Sequence, residues 1–336
     1  MKVAVAWICI VFLSFGVSAM EKSNAALTIK TVYHPERDRY IEIYYWYPTQ
    51  EINSDYIFGN SKVFVGVKTK LDATITAGRF PVILLAHGGL RSSFTQSGWV
   101  ASSLAAKGFI VALPKTPDFD DINANVIANE LSLRPTDLLL SLSNLKVLPD
   151  FSNSVDHQHV FGVGFFLGGT SMLSLAGAQI NVPEYKQSCN SKGINIDCDW
   201  FNKNDIDLNN TSVPFAFKNG LDNRLKSIVT FSPELTKTLD IESLKQVSIP
   251  VTVVDLVNKK KHPLQPAKSL NSIAQLTLQK LSSTSVYSAF SECTEIGKEI
   301  LLSEGEGDIC EENQPYSRQQ NHQRIIEVIL KSFTSL

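Results

Sequence analysis

The stretch Val160-Phe161-Gly162-Val163-Gly164-Phe165-Phe166-Leu167-Gly168-Gly169 decides how the rest of the chain is read. A short apolar run ends in glycine, a tight turn follows, and Gly168-Gly169 opens a small-residue helix, Thr170 to Ala178. Glycines at 164 and 168 suit a sharp strand-to-helix turn, because they tolerate backbone geometry and close approaches that other residues do not. In the Gly-x-Ser-x-Gly version of this turn the central serine is presented as a nucleophile. Here Phe166 holds that position, and a phenyl ring cannot attack a carbonyl. No Gly-x-Ser-x-Gly occurs elsewhere in the sequence.

Outward from this turn, apolar strands alternate with helical patterns. Pro81 to Ala86 is a continuous apolar run, as expected of a strand covered on both faces. Ser97 to Lys107 reads as a helix closed by Gly108, and Phe109 to Leu113 as the next buried strand, stopped by Pro114. Asp137 to Lys146 is helical in pattern, with Pro135 near its start. Earlier, Tyr40 to Tyr47 alternates, with Ile41, Ile43, Tyr45 and Tyr47 on one face and Pro48 at its end; Val63 to Val67 is its expected partner. Later come Ser227 to Phe231, Pro250 to Val254, Leu276 to Leu281 and a closing amphipathic helix, Ile325 to Phe333. This order predicts an α/β protein with a mostly parallel, doubly covered sheet.

Residues 181–220 interrupt the rhythm. They are rich in Asn, Asp, Ser and Lys and carry Trp200, Phe201, Phe215 and Phe217. Two readings stand: a cap over the sheet, its aromatics joining Phe165 and Phe166 around the old pocket, or a disulfide-pinned surface loop. Lys2, the apolar run Val3 to Val17 and the small residues Val17-Ser18-Ala19 form a secretory signal pattern, with cleavage expected after Ala19. That makes residues 1–19 a leader and 20–336 a single exported domain, periplasmic or extracellular, with no later membrane span. Past the leader remain Cys189, Cys198, Cys293 and Cys310. An even count in an exported chain favours disulfides, and the local pairs Cys189/Cys198 and Cys293/Cys310 each bracket one polar loop. Metal binding is the weaker reading, since no Cys-x-x-Cys or nearby histidine accompanies them. With 31 basic against 33 acidic side chains, dispersed, nothing points to nucleic acid.

Several segments in order resemble the predicted dienelactone hydrolases, an α/β-hydrolase group related to platelet-activating-factor acetylhydrolases and chlorophyllases. They are Arg37-Asp38-Arg39 before Ile43 to Pro48; Pro81 to His87-Gly88-Gly89; Gly108 to Ala112; Arg134-Pro135-x-Asp137; Asp222-x-Arg224-x-Lys226; and Cys293, Ile309-Cys310, Arg318 and His322. The resemblance covers nearly the whole chain after the leader. It implies the α/β-hydrolase fold, hydrolysis of carboxylic esters or acyl lipids by a serine triad, no cofactor and no metal. It also implies an oxyanion hole from the amide of Leu167 and the His87-Gly88-Gly89 loop.

The catalytic positions depart from that pattern three times. The nucleophile position is Phe166; the acid is missing near Asn258, with Asp255 on the strand end; and the base is missing near Val286, since Ser285 to Phe290 contains no histidine. The other histidines do not fill the gap. His262 reads as a solvated loop residue, His322 as structural or capping, His157 and His159 as lying at the far end of the elbow strand, and His34 as uninformative. His87 is expected to shape its loop; the competing reading pairs it with Ser92, Ser93 or Ser171. Loss of a triad serine or histidine alone costs about 10⁶ in turnover, leaving about 10³ to 10⁴ over water from the oxyanion hole and binding. The expectation is a catalytically silent hydrolase scaffold that binds a small apolar or ester-like ligand or a protein partner. The alternative is an active hydrolase with relocated nucleophile and base.

Overall fold

The computed structural model describes residues 24–89, 92–116, 123–190, 197–212, 222–256 and 267–334. The leader, Asn258, His262, Phe215 and Phe217 lie outside the described residues. Ten strands form one sheet: β1 (Asn24–His34), β2 (Arg39–Thr49), β3 (Tyr56–Phe58), β4 (Val67–Leu71), β5 (Phe80–Ala86), β6 (Ile110–Pro114), β7 (Val155–Phe165), β8 (Leu225–Phe231), β9 (Val251–Leu256) and β10 (Leu276–Leu281). Their order is β10-β9-β8-β7-β5-β6-β2-β1-β4-β3. From β10 to β6 every pairing is parallel, while β2 runs antiparallel to both β6 and β1.

The helices are α1 (Gly98–Ala105), α2 (Ala124–Leu145), α3 (Leu167–Leu175), α4 (Val182–Lys186), α5 (Cys198–Lys203), α6 (Ile241–Lys245), α7 (Glu295–Ser303) and α8 (Arg318–Thr334). Two apolar layers sandwich the sheet. One joins α2 and α3 through Ile127, Leu131, Leu138, Leu142, Met172 and Leu173. The other joins α1 and α8 through Val100, Leu104, Ile325, Ile329 and Phe333. Parallel strands buried on both sides need such continuous apolar sequence, and Val82-Ile83-Leu84-Leu85 is fully buried accordingly. The expected mostly parallel, doubly covered sheet is therefore present.

Several local expectations are corrected. In β2, Ile41, Ile43, Tyr45 and Tyr47 do share one layer, but Tyr44 and Trp46 are buried in the other, so the alternation is of two apolar faces. The strand also runs past Pro48 to Thr49, where it remains paired with β1. Its main partner is β1 rather than Val63 to Val67, where Phe64 makes an isolated bridge to Cys293 and Val67 opens β4, paired with β3. The helix expected at Asp137 starts at Ala124, capped by the Asn123 side chain, with Pro135 inside it. Tertiary packing of a long apolar face outweighs the local cost of an interior proline. The elbow strand begins at Val155, so His157 and His159 lie on β7, at the end remote from the turn.

The insertion is knitted into the core rather than laid over it. Tyr185, Phe201, Ile206 and Leu208 are buried in the α2–α3 layer, and Thr211 Oγ1 donates to the carbonyl of Ala124. Disulfides join Cys189 to Cys198 and Cys293 to Cys310, with Cα separations of 5.2 and 5.7 Å. These are the two sequence-local pairs.

Candidate functional site

The carboxyl ends of the central parallel strands converge on the elbow. Phe166 sits between β7 and α3 with φ +52° and ψ −118°, a conformation that L side chains rarely adopt and that costs about 1–3 kcal/mol. The turn is held from both sides: Phe166 N–H donates to the Phe231 carbonyl (2.9 Å), and its own carbonyl accepts from Thr170 and Glu234 N–H (3.2 Å each). The flanking glycines are sterically required. A Cβ on Gly164 would lie 2.3 Å from the Gly168 oxygen, and one on Gly168 would lie 2.3 Å from the His87 oxygen. The strained turn of a nucleophile elbow is thus kept around a side chain that is not a nucleophile.

The Phe166 ring is 5 % exposed. It lies against Gly88, where an added Cβ would come within 3.1 Å of Phe166 Cδ2, and it meets the Phe290 ring edge-on, centroids 6.3 Å apart at 81°. Phe290 follows the 3-10 turn Val286–Ala289, the segment in which the sequence lacks a base. That segment is pinned in place. Trp99 Nε1 donates to the Ala289 carbonyl (3.0 Å), and His322 Nε2 donates to the Phe290 carbonyl (2.8 Å). His322 also stacks flat on Trp99, centroids 3.6 Å apart, and burial pushes it down to about 3, so it is a neutral strut. Phe165 stacks on Phe231, centroids 4.8 Å apart. Trp200 and Phe201 do not join Phe166 either: they pack in the α2–α3 layer, whereas Phe166 belongs to the α1–α8 layer.

His87, Gly88 and Gly89 leave the end of β5 beside the start of α3, so the loop and Leu167 are brought together. Leu167 opens α3, and the first amides of a helix have no intrahelical acceptor. Among the described residues Asp197 of the insertion approaches this loop: a Cβ on Gly89 would lie 3.6 Å from its Oδ2. His87 Nε2 lies 2.6 Å from Thr116 Oγ1 at the end of β6, and its Nδ1 is buried without a partner among the described residues. Burial, then the nearby guanidiniums of Arg134 and Arg37, hold His87 well below its ordinary range and hence uncharged at neutral pH. None of the three candidate serines reaches it: Ser92 donates to the Gly89 carbonyl, Ser93 pairs with Thr95, and Ser171 donates to the Leu167 carbonyl. The cavity between His87, Thr116, Arg134 and Asp137 is about 10 Å³, room for about one water. Asp255 stands near the end of β9, 7 % exposed, its carboxyl raised by burial.

Beneath the loop lies a charge cluster that motif reading passed over. Arg37 makes two-pronged contacts with Glu130 (2.6 and 3.1 Å) and Asp137 (2.6 and 2.7 Å), all three side chains buried. His34 Nε2 lies 3.3 Å from Asp137, and Arg134 Nη1 donates to the Gly88 carbonyl (2.7 Å). Desolvation lowers Arg37, but hydrogen bonds to Asp137 and Glu130 outweigh it and raise it; Asp137 is raised by burial despite Arg37. The available signal was spacing: residues 130, 134 and 137 share one face of a helix. Among the described residues no cluster of three or more His, Cys, Asp or Glu side chains is placed to hold a metal.

No family model and no curated relative matches the chain. Solved structures do. A ferulic acid esterase from Streptomyces cinnamoneus aligns at TM-score 0.55 with 12% identity, covering 94% of this chain and 90% of that one. A dienelactone hydrolase from Anabaena variabilis aligns at 0.47 with 11% identity, covering 91% and 98%, and a dienelactone hydrolase-like promiscuous phosphotriesterase from metagenomic libraries at 0.48 with 13%, covering 93% and 99%. At these identities the likeness is one of fold. The chain is an α/β-hydrolase-fold protein, its open sheet and elbow in the order that fold requires.

Proposed function

We propose that this chain is an exported, dienelactone-hydrolase-like protein that has lost triad catalysis and acts as a binding or scaffolding module. The observation that carries the reading is the Phe166–Phe290 contact: two apolar rings meet where serine and histidine would have to meet. Triad hydrolysis needs a hydroxyl activated by an adjacent base whose tautomer is fixed by a third group. Phe166 offers no hydroxyl, and its buried ring occupies space beside Gly88 that a substrate carbonyl would need. The leader pattern and two disulfides support export.

One observation favours the alternative of a relocated machine, the 2.6 Å contact between His87 and Thr116. Against it, no described group holds His87 Nδ1, and burial makes the imidazole a poor proton acceptor. Assays with short-chain nitrophenyl esters, methyl ferulate and a fluorophosphonate probe separate the readings. The expected result is no stoichiometric labelling and turnover no greater than the roughly 10³ to 10⁴ over water that an oxyanion hole alone supplies. Stoichiometric labelling of Thr116 or of any serine overturns the silent-scaffold reading.

A further inference from the structure

The insertion contains a groove of about 320 Å³, separate from the elbow and within the size range of ligand sites, about 300–1,000 Å³. Its floor is rigid. Ile206 and Leu208 are buried in the α2–α3 layer, and the Cys189–Cys198 disulfide ties the end of α4 to the start of α5. Its walls are polar and of mixed sign: the Lys186 ammonium, the Asp205 and Asp207 carboxylates, and the amides of Asn190, Asn202 and Asn209. Among the described residues the side chains of Asn190, Asn202 and Asp205 bond to nothing else in the chain, so they remain able to bind a guest.

The wall chemistry narrows the guest. A divalent cation is poorly served, because Asp207 Oδ1 already accepts from the Asn209 N–H (2.9 Å) and Nδ2 (2.8 Å), and Lys186 repels it. Oxygen-rich calcium sites need six to eight ligands, which this wall does not assemble. An anion meets two carboxylates. A neutral hydroxyl fits both, since it donates to a carboxylate or amide oxygen while accepting from an amide N–H or the ammonium. Several hydroxyls on one ring match the several donors and acceptors set around these walls.

We propose that this groove binds a neutral saccharide. The inference does not depend on whether the elbow is silent, since no groove residue belongs to that site. Saturation-transfer NMR on the full chain tests it, with glucose, galactose, xylose and maltose as probes, sorbitol as the acyclic arm, alanine as a zwitterion and calcium as a competitor. The expected result is saturation transfer to at least one cyclic saccharide. Asn202→Ala and Asp205→Ala should each weaken that saccharide's binding about fivefold, the loss of one hydrogen bond. Both side chains are exposed, so an unchanged unfolding midpoint is expected for Asn202→Ala; Asp205 sits at φ +55°, where alanine is strained, so Asp205→Ala should lower the midpoint slightly and Asp205→Asn, which tolerates that backbone, serves as the second variant. No transfer to any cyclic saccharide, transfer to sorbitol or alanine alone, displacement by calcium, or undiminished binding in the variants overturns the proposal.

Discussion

Phe166 occupies a backbone position whose strain is normally tolerated for chemistry. Here the surrounding bonds to Phe231, Thr170 and Glu234 retain it, and the ring is held by packing instead. Replacing it with serine supplies a hydroxyl but no base, because Phe290 is the ring that faces it. Phe166→Ser should therefore leave nitrophenyl acetate hydrolysis within about tenfold of the parent, a small effect beside the 10⁴ or more that a working triad supplies; a larger gain would show that a base lies within reach. The same change removes a buried ring and should lower stability by about 3–5 kcal/mol in urea titration. His322 makes a pH prediction. Its folded value is about 3 against an ordinary 6.5, so the unfolded chain binds the proton more readily. Its contribution is complete above about pH 6.5 and is lost as pH falls toward 3, roughly 2 kcal/mol by pH 5. His87 is depressed in the same direction, so the test compares urea midpoints at pH 8 and 5 for the parent and His322→Gln. The variant should show the smaller fall; equal falls would remove His322 as a source.

At the scale of elements, α2 is the connector between the strand ends and the rest of the molecule. Glu130, Arg134 and Asp137 sit on one of its faces, and Arg37 from the β1–β2 turn closes the network, so turn, helix and Gly88 loop are tied together by buried polar contacts. Removing one partner from a buried ion cluster leaves the others uncompensated, at about 3–5 kcal/mol. Arg37→Ala should show a loss of that size in urea titration, and Arg37→Lys a partial one, since an ammonium cannot make both two-pronged contacts. A loss below about 1 kcal/mol, the worth of an exposed pair, would contradict the burial of this network. The residues were visible in the sequence as motif fragments, Arg37-Asp38-Arg39 and Arg134-Pro135-x-Asp137. Their partnership was not, because residues 37 and 130 are brought together by chain topology and not by any local pattern. The insertion had the same difficulty: Tyr185 and Phe201 are buried, but which layer receives them depends on how α4 and α5 dock.

Across the whole molecule, the C-terminal tail reaches back to the connection between β3 and β4. Val65 N–H donates to the Glu292 carbonyl, Thr294 N–H to the Val63 carbonyl, and Cys293 is both bridged to Phe64 and bonded to Cys310. Cleavage mapping without reduction should recover Cys189 with Cys198 and Cys293 with Cys310. Breaking the second pair by Cys293→Ser and Cys310→Ser together should cost about 3 kcal/mol, as expected for closing a loop of that length. Recovery of a crossed pairing would contradict the fold of the tail. The strand–turn–helix order, the parallel core strands and the absence of a serine at residue 166 follow from sequence alone, because apolar runs and glycine requirements are local and a missing hydroxyl needs no neighbour to be seen. The pairing of β2 with β1, the buried Arg37 network, the Thr116 partner of His87 and the ring of Phe290 against Phe166 were decided only by tertiary structure. Each joins residues far apart in the chain, and burial sets their energies once the sheet has brought them into contact.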